Sequence, residues 1–495
     1  MDFSGFSSWG IVSVVAVLLV ALLLANMLKR RILLLQKSLI PTSVLAGAII
    51  LIISCIYTAI AGEGEYLFEL KFFGSPSKET LQMVEAGLVD KNDVALTGLD
   101  LLEVITYHAL ALGFIATAFK PIKEKISKKR STEIFNTGVS TVSTYLLQAV
   151  IGITITMIGS LFITGLANYG GVILAFGYGQ GTGQALNYGS RYEASGGFLN
   201  GTDFGLSIAS LGFIFAAVGG VLYLNHIKRK SRKKMKDNDF GETITIDKIQ
   251  TSEELPMESS GVDKNTMQLA FILGSYFATY GILYILGKIM PSSMLGTVYG
   301  FNFLIGVLVA TLVCFILRFF KKRQVIKHEY INHFLMKRWA GFFFDIMIIA
   351  GFAAIKPDTI LYYWHILLII GFVGALASFF YLRLISKLLF KKYSQEQFLA
   401  MYGMLTGTAS TGIVLLREWD PNFRSPAADN LVYQNFPAIV FGLPILFLAA
   451  VDVISVHPYI IYGVFIGLFV IMNLILFRSY IFKRRKKETV EEETE

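Results

Sequence analysis

One stretch of 57 residues, Ile134 to Ser190, contains no aspartate, glutamate, lysine or arginine, and it encloses the glycine-rich string FGYGQGTGQA at 176–185. In soluble proteins glycine-rich strings often hold phosphates, but this one lacks both GK[ST] and the G-x-G-x-x-G spacing. Irregular backbone at membrane depth is tolerated only where protein or water satisfies its polar groups. The stretch therefore predicts a membrane protein in which the glycine-rich string forms irregular backbone at membrane depth.

Charge-free runs recur along the whole chain. Charged residues make up 16% of it and apolar residues 54%, whereas soluble domains carry about a quarter charged residues. A helix needs about 20 apolar residues to cross a bilayer core of about 30 Å. The sequence thus predicts an all-α polytopic membrane protein. The runs are 9–28, 41–60, 104–119, 134–190, 204–227, 265–287, 289–317, 359–382, 397–416, 430–451 and 453–477.

The basic residues give an orientation. Six segments hold 34 of the 44 lysines and arginines, and we place all six in the cytoplasm. They are 29–37, 120–130, 228–236, 318–338, 383–392 and 478–487. The stretch 61–100 has three lysines against eight acids and is placed outside. The N-terminus is then outside and the C-terminus inside, and the first run is read as a transmembrane helix because the bases follow it.

Two segments must then begin and end on the same side. The segment at about 170–190 lies between predicted helices 134–164 and 202–224 and starts and ends outside. In the second half, the segment at about 395–428 starts and ends inside. We interpret both as re-entrant hairpins. A transmembrane helix at 397–416 is the alternative, and it would put the KRRKK of the tail outside.

The two hairpins share a sequence. Tyr178-Gly-x-x-Thr-Gly-x-Ala185 recurs as Tyr402-Gly-x-x-Thr-Gly-x-Ala409. Because the two copies have opposite orientation, the chain is predicted to contain two inverted five-helix repeats, as secondary transporters do. The predicted domains are the first repeat (1–225), a disordered cytoplasmic linker (226–266), the second repeat (267–456), and an additional C-terminal transmembrane helix with a cytoplasmic tail (457–495).

The hairpin tips carry the predicted chemistry. Backbone N–H groups at helix starts suit a carboxylate, and freed carbonyls with hydroxyls are hard oxygen ligands for a small cation. The predicted substrate-binding residues are Gln180, Gly181, Thr182, Gly183, Thr406, Gly407, Ser410 and Arg417. The predicted ion-binding residues are Gln148, Thr408, Thr411 and Asp452.

Some of these residues have a second interpretation. Arg417 either clamps a substrate carboxylate or is a structural arginine at the membrane border, with Glu418 beside it. Asp452 and Asp345 are either ion ligands or partners in helix–helix hydrogen bonds. An aspartate at the bilayer centre costs about 2.5–3.5 kcal/mol on insertion scales, so each needs a function or a partner.

The chain resembles the bacterial sodium/glutamate symporter family. The similar pieces are Ile40 to Gly47, Gln148 to Ile153, Gly179 to Gly183, Asn200 to Asp203, and Pro444 with Asp452. The resemblance implies two inverted repeats, each with a re-entrant loop, sodium-coupled glutamate uptake, and a homodimer in the bacterial cytoplasmic membrane. In four places the chain departs from the family's pattern: Gln180 replaces a histidine, the loop at 403–412 differs, Asp345 stands where an apolar residue is usual, and the last helix is added.

These observations favour a sodium-coupled symporter of glutamate or a related small carboxylate. A passive channel and a proton-coupled carrier of another organic anion are the alternatives. An enzyme is not expected, because the sequence shows no nucleophile–base or metal constellation, and sodium is the only cofactor expected. The net charge of +9 comes from membrane borders, so lipid, not nucleic acid, is the expected partner.

Overall fold

The computed structural model describes residues 6–76, 80, 96, 98–119, 128–232, 262–290, 295–325, 330–420, 425–450 and 458–478. Over these residues the regular structure is helical, without a strand, which confirms the all-α prediction. The α-helices are α1 Phe6–Arg31, α2 Leu33–Lys37, α3 Thr42–Ala61, α4 Gly98–Ala118, α5 Lys128–Gly159, α6 Ile173–Gln180, α7 Thr182–Ala194, α8 Gly201–Arg232, α9 Lys264–Ile289, α10 Leu295–Gly300, α11 Asn302–Lys322, α12 His333–Ala353, α13 Pro357–Leu389, α14 Ser394–Thr406, α15 Ala409–Arg417, α16 Ala427–Tyr433, α17 Asn435–Ala450 and α18 Pro458–Leu476.

Nine helices in the described part of the chain are long and apolar enough to cross a membrane. They are α1, α3, α4, α5, α8, α9, α11, α13 and α18. The two five-helix repeats and the added helix make eleven predicted spans. The other two, predicted over 339–355 and 431–452, correspond to α12 and α17. In α12 the first turns carry Lys337 and Arg338, and α17 has only 16 residues before the undescribed stretch 451–457. The helices are those of a multi-pass membrane protein.

Several helix ends differ from the predicted ones. The helix predicted over 134–164 ends at Gly159, and the chain then turns through Gly165, which has φ of +75°. The helix predicted over 292–317 is divided at Phe301 into α10 and α11. There the Asn302 side chain accepts a hydrogen bond from the Phe303 N–H, so it competes with the helical pattern of the backbone.

The predicted linker, 226–266, overlaps two helices. Helix α8 continues to Arg232, and α9 begins at Lys264. Asp263 caps α9 by accepting hydrogen bonds from the N–H groups of Asn265 and Thr266. Residues 233–261 lie outside the described part.

The chain forms two compact units. The first comprises 1–110, 123–221 and 345–495, and the second comprises 111–122 and 222–344. In the second unit, Ile115, Ile272, Ala310 and Met336 belong to one buried cluster. The predicted repeats divide the chain by sequence similarity and orientation in the membrane. The two units divide it by contacts between residues, so they do not test the predicted repeats.

Within the first unit, α6 and α7 form what we call the first helix pair. The rings of Phe176 and Tyr188 stack with centroids 3.9 Å apart, and those of Tyr169 and Tyr192 meet edge to face at 5.0 Å. These contacts show that α7 folds back along α6. The chain reverses at Gly181, whose φ of +77° favours glycine.

Helices α14 and α15 form the second helix pair. A Cβ on Gly403 would lie 2.6 Å from Gly412 Cα, so the two backbones touch. The break falls at Gly407 and Thr408, and the Thr408 hydroxyl accepts a hydrogen bond from the Thr411 N–H as the N-cap of α15. Both predicted hairpin segments are therefore two short helices folded against each other.

The first helix pair is fastened to α5 by a close backbone approach. The Thr156 hydroxyl donates to the Asn168 carbonyl at 2.8 Å and accepts from the Gly171 N–H at 3.0 Å. A Cβ on Gly152 would overlap the Gly171 carbonyl. Glycine is required at this contact because any larger side chain would push α6 away from α5.

This contact predicts the effect of adding one methyl group. Gly152→Ala should destabilise the protein by about 1–3 kcal/mol, since overpacking at a backbone contact cannot relax cheaply. Gly274→Ala is the control, because nothing lies within 4 Å of a Cβ at that helical position. It should be neutral or slightly stabilising. Thermal unfolding of both variants in detergent measures the difference, and equal melting temperatures would contradict the proposed contact.

Candidate functional site

The two helix pairs meet at their breaks. A Cβ on Gly181 would lie 3.6 Å from Thr408 Cγ2 and 3.6 Å from Met347 Cε, so the first break contacts the second. On α8, a Cβ on Gly212 would lie 2.5 Å from the Thr406 carbonyl oxygen and 2.8 Å from the Tyr178 ring. We call this place the crossing, defined by residues 179–183 and 406–411.

Side chains from neighbouring helices hold the backbone at the crossing. The Gln148 amide nitrogen on α5 donates to the Leu405 carbonyl at 2.7 Å and to the Ser378 hydroxyl at 2.9 Å. The Tyr145 hydroxyl donates to the Gly179 carbonyl at 3.2 Å. The Thr182 hydroxyl donates to the Met347 carbonyl at 3.1 Å. Helices α5, α12 and α13 thus fix both breaks.

The breaks bring four helix ends together. Helices α7 and α15 begin at the crossing, and α6 and α14 end there. A helix start presents N–H groups with partial positive charge, and a helix end presents carbonyls with partial negative charge. One place therefore offers donors to an anion and acceptors to a cation.

Buried polar atoms at the crossing lack hydrogen-bond partners. Among the described residues, the Gln148 Oε1 and Gln180 Oε1 acceptors, the Thr406 hydroxyl and the Gln184 Nε2 donor have none. Each buried unsatisfied group costs about 1–3 kcal/mol. Four such groups in one small region indicate a place where a polar ligand or water binds.

The structure brings most predicted site residues to the crossing. Those at or beside it are Gln148, Gln180, Gly181, Thr182, Gly183, Thr406, Gly407, Thr408 and Thr411. Ser410 is in the first turn of α15, and its side chain is outside the description. Arg417 ends α15, nine residues from Thr408, which is about 13 Å along a helix. It does not join the crossing, and Asp452 lies outside the described residues.

Asp345 lies near the crossing but faces another helix. Met347 and Gly351 of the same helix contact the first break. Asp345 is two residues before Met347, which is about 200° around the helix, and its carboxyl has Ser43 of α3 as its neighbour. Asp345 therefore lies on the side of α12 that faces α3, not on the side that contacts the first break.

A charged cluster that sequence reasoning missed lies where α8 and α13 begin. Asp203 accepts hydrogen bonds from the Lys356 N–H at 3.0 Å and the Thr359 hydroxyl at 3.4 Å, so it caps α13 from another helix. Glu193 accepts from both the N–H and the hydroxyl of Thr202. The cluster joins the end of the first helix pair to α8 and α13.

The charge of Lys356 belongs to this cluster. Burial acts to lower the pKa of the ammonium, but the carboxylates of Asp203, Glu103 and Glu193 together raise the pKa above its usual value. Lys356 therefore stays protonated and partly compensates the carboxylates. In the sequence the cluster is marked only by a lysine, Lys356, directly before a helix. Its contact with Asp203, 153 residues away, cannot be predicted from the spacing of the residues.

Comparisons with known proteins add no family. Models of protein families do not match the chain, and no curated protein or solved structure is significantly similar to it. Among the described residues, no group of three or more histidine, cysteine, aspartate or glutamate side chains is arranged to hold a metal ion. The site is therefore interpreted from its own geometry.

The two equivalent threonines should respond oppositely to loss of a hydroxyl. Thr182→Val removes the hydrogen bond from its hydroxyl to the Met347 carbonyl and should cost about 0.5–1.5 kcal/mol of stability. Thr406→Val removes a hydroxyl that forms no hydrogen bond of good geometry and has only a looser interaction with the Tyr402 side chain, so stability should be nearly unchanged or raised. Thermal unfolding of the two variants checks this, and a loss of stability in Thr406→Val would show that its hydroxyl is structurally bound.

Proposed function

We propose that the protein is a secondary active transporter that couples sodium to the uptake of glutamate or a related small carboxylate. The observation that carries the proposal is the crossing, where four helix ends and several unpartnered buried polar atoms meet. Broken helices whose ends meet are the usual way in which secondary transporters build substrate and ion sites. The resemblance to sodium/glutamate symporters supports the substrate class.

The substrate carboxylate would bind at the starts of α7 and α15. Helix α7 starts with the N–H groups of Thr182 and Gly183, and α15 starts with those of Ala409 and Ser410. Backbone donors at a helix start bind an anion without a lysine or arginine. Arg417 is not needed for this contact, because it is about two and a half turns away.

Sodium would bind neutral oxygens at the crossing. Gln148 Oε1, Thr406 Oγ1 and the pair of Thr408 and Thr411 hydroxyls are acceptors of this kind, and the two hydroxyl oxygens lie 3.3 Å apart. A proton-coupled carrier needs a titratable group at the site. The crossing, as defined, contains no aspartate, glutamate or histidine, and Asp345 faces Ser43. Sodium is therefore favoured over a proton.

The two helix pairs are proposed to be re-entrant and related by inverted repetition. Two ion contacts support this relation. Asp203, after the first pair, caps the start of α13, and Asp429, after the second pair, lies 3.8 Å from Arg130 at the start of α5. Asp203 of the first pair's side thus contacts the start of α13, the long helix that precedes the second pair. Asp429 contacts the start of α5, the long helix that precedes the first pair. The basic segments put the Arg130 end inside and the Lys356 end outside.

The setting follows from the same reasoning. We propose that the protein is a homodimer in the bacterial cytoplasmic membrane, as the resemblance implies, with the N-terminus outside and the C-terminus inside.

The coupling ion can be tested in proteoliposomes. Uptake of labelled glutamate, from a panel of amino and dicarboxylic acids, should require an inward sodium gradient and persist when an uncoupler collapses the proton gradient. Thr406→Val should reduce sodium-dependent uptake at least tenfold, because it removes a proposed ligand while the fold is kept. Uptake that ignores sodium but stops with the uncoupler would indicate proton coupling, and equilibration without accumulation would indicate a channel.

The proposed topology is tested with two single cysteines in a background without Cys55 and Cys314. Asn168 is exposed at the base of the first pair, and Lys392 is exposed at the base of the second. A membrane-impermeant thiol reagent should label Asn168→Cys from outside and Lys392→Cys only from inside. Labelling of both from the same side would disprove the inverted arrangement.

A further inference from the structure

A row of buried polar side chains leads from the crossing along α5. Thr137, Thr141, Thr144 and Gln148 are all at most 1% exposed. Their spacing of four, three and four residues puts them on one helix face. The row spans 11 residues, or about 16 Å, and it ends near Arg130. Polar residues are expensive inside a membrane and usually mark a function.

Helices α14 and α16 add buried amides to the same row. The Gln397 Nε2 donates to the Thr137 hydroxyl at 3.2 Å, and the Asn430 Nδ2 donates to the Gln397 Oε1 at 2.9 Å. One turn after Asn430, the Gln434 Nε2 lies 3.5 Å from the Met404 sulfur. We call Thr137, Thr141, Gln397, Asn430 and Gln434 the polar seam.

The seam contains two oxygens that no described residue satisfies. Asn430 Oδ1 and Gln434 Oε1 have no hydrogen-bond partner, although the two residues are 0% and 2% exposed. They sit one helical turn apart on the same face, since Asn430 and Gln434 are four residues apart. Together with Gln148 Oε1 at the crossing, they make three unpartnered amide oxygens along one route.

The hydrogen bonds of the seam decide the sign of its ligand. The Thr137 and Thr141 hydroxyls donate their protons to carbonyls one turn earlier in α5, at 2.8 and 3.1 Å. Thr144 does the same. A hydroxyl that has donated its proton can offer only lone pairs. The seam therefore presents acceptors to anything that enters it, which suits a cation and disfavours a carboxylate.

The far end of the seam does not repel a cation. Arg130 is the basic group there, and its guanidinium lies 3.1 Å from the Glu133 carboxylate and 3.8 Å from that of Asp429. It also donates to the Pro426 carbonyl at 3.1 Å. Its charge is thus compensated at the place where the seam ends.

We propose that the polar seam is the route by which the coupling cation passes between the crossing and the Arg130 end, with Asn430 and Gln434 as its oxygen ligands on the way. The inference rests on the proposed function for the identity of the cation and for the direction inward. In this scheme the two solutes follow different groups. The carboxylate binds the helix starts at the crossing, and the cation moves along the acceptor oxygens of the polar seam.

Gln434 gives the sharper test, because among the described residues its nitrogen bonds only to the Met404 sulfur and the Asn435 side chain, so replacement disturbs little. Gln434→Cys, without Cys55 and Cys314, should react with the cationic reagent 2-aminoethyl methanethiosulfonate at least tenfold faster than Leu102→Cys, a cysteine at a fully buried apolar position. Sodium should slow the reaction, and the neutral methyl reagent should show no such preference. Size-exclusion chromatography of each variant checks the fold.

A transport measurement accompanies the labelling. Gln434→Met should lower the maximal rate of sodium-dependent uptake about tenfold while the half-saturating substrate concentration changes little, since the crossing is intact. Tyr433→Phe, which removes a hydroxyl from the same short helix and keeps both amides, is the matched control and should transport normally.

The outcomes separate this inference from the proposed function. If the unmodified protein accumulates a carboxylate but Gln434→Cys reacts no faster than Leu102→Cys, the seam is a structural network and the inference is wrong. If the protein accumulates none of the panel and Gln434→Cys still reacts selectively with the cationic reagent, the route is supported and the proposed function fails. Selective reaction combined with uptake supports both.

Discussion

Satisfying backbone polar groups where the chain breaks inside an apolar environment is the constraint on which the rest of the structure depends. A broken helix exposes N–H and carbonyl groups that lipid cannot bind. Here, long side chains of α5 take two of the exposed carbonyls: the Gln148 amide binds that of Leu405, and the Tyr145 hydroxyl binds that of Gly179. At the start of α15 the Thr408 hydroxyl takes the Thr411 N–H. The proposed function assigns the other N–H groups at the starts of α7 and α15 to a ligand.

Helix α5 contacts both pairs, and this explains its unusual composition. Gly152 and Thr156 fasten the first pair, and Gln148 and Thr137 contact the second. Most hydroxyl residues in this helix are tolerated because they donate to a carbonyl of the previous turn, as Thr137, Ser140, Thr141, Thr144 and Thr154 do. The same bonds leave oxygen lone pairs facing the neighbouring helices. A helix that needs close packing on one side and acceptors on another is therefore rich in glycine, serine and threonine and poor in charge.

The sequence predicts the local features well and the pairings poorly. Hydropathy locates the helices, and the repeated YGxxTGxA string locates both breaks, because glycine at Gly181 and Gly407 marks a chain reversal within an apolar run. The divided helix at Phe301 and the seam at Asn430 and Gln434 were not predicted. The first depends on one asparagine competing with its own backbone, and the second depends on partners 33 and 30 residues away. Such partners become neighbours only through the packing of whole helices.

The distribution of unpartnered donors and acceptors within the site supports the proposal that two different ligands bind there. Of the four unpartnered buried groups at or beside the crossing, two are acceptors, one is a hydroxyl that can donate or accept, and one is a donor, whereas both in the seam are acceptors. If these unpartnered atoms bound only an anion, most of them would be hydrogen-bond donors, like the backbone N–H groups at the starts of α7 and α15. If these side chains only filled space, apolar side chains of equal size would give a more stable protein. An excess of buried acceptors beside an array of backbone donors is what a site requires when an anion and a cation bind together.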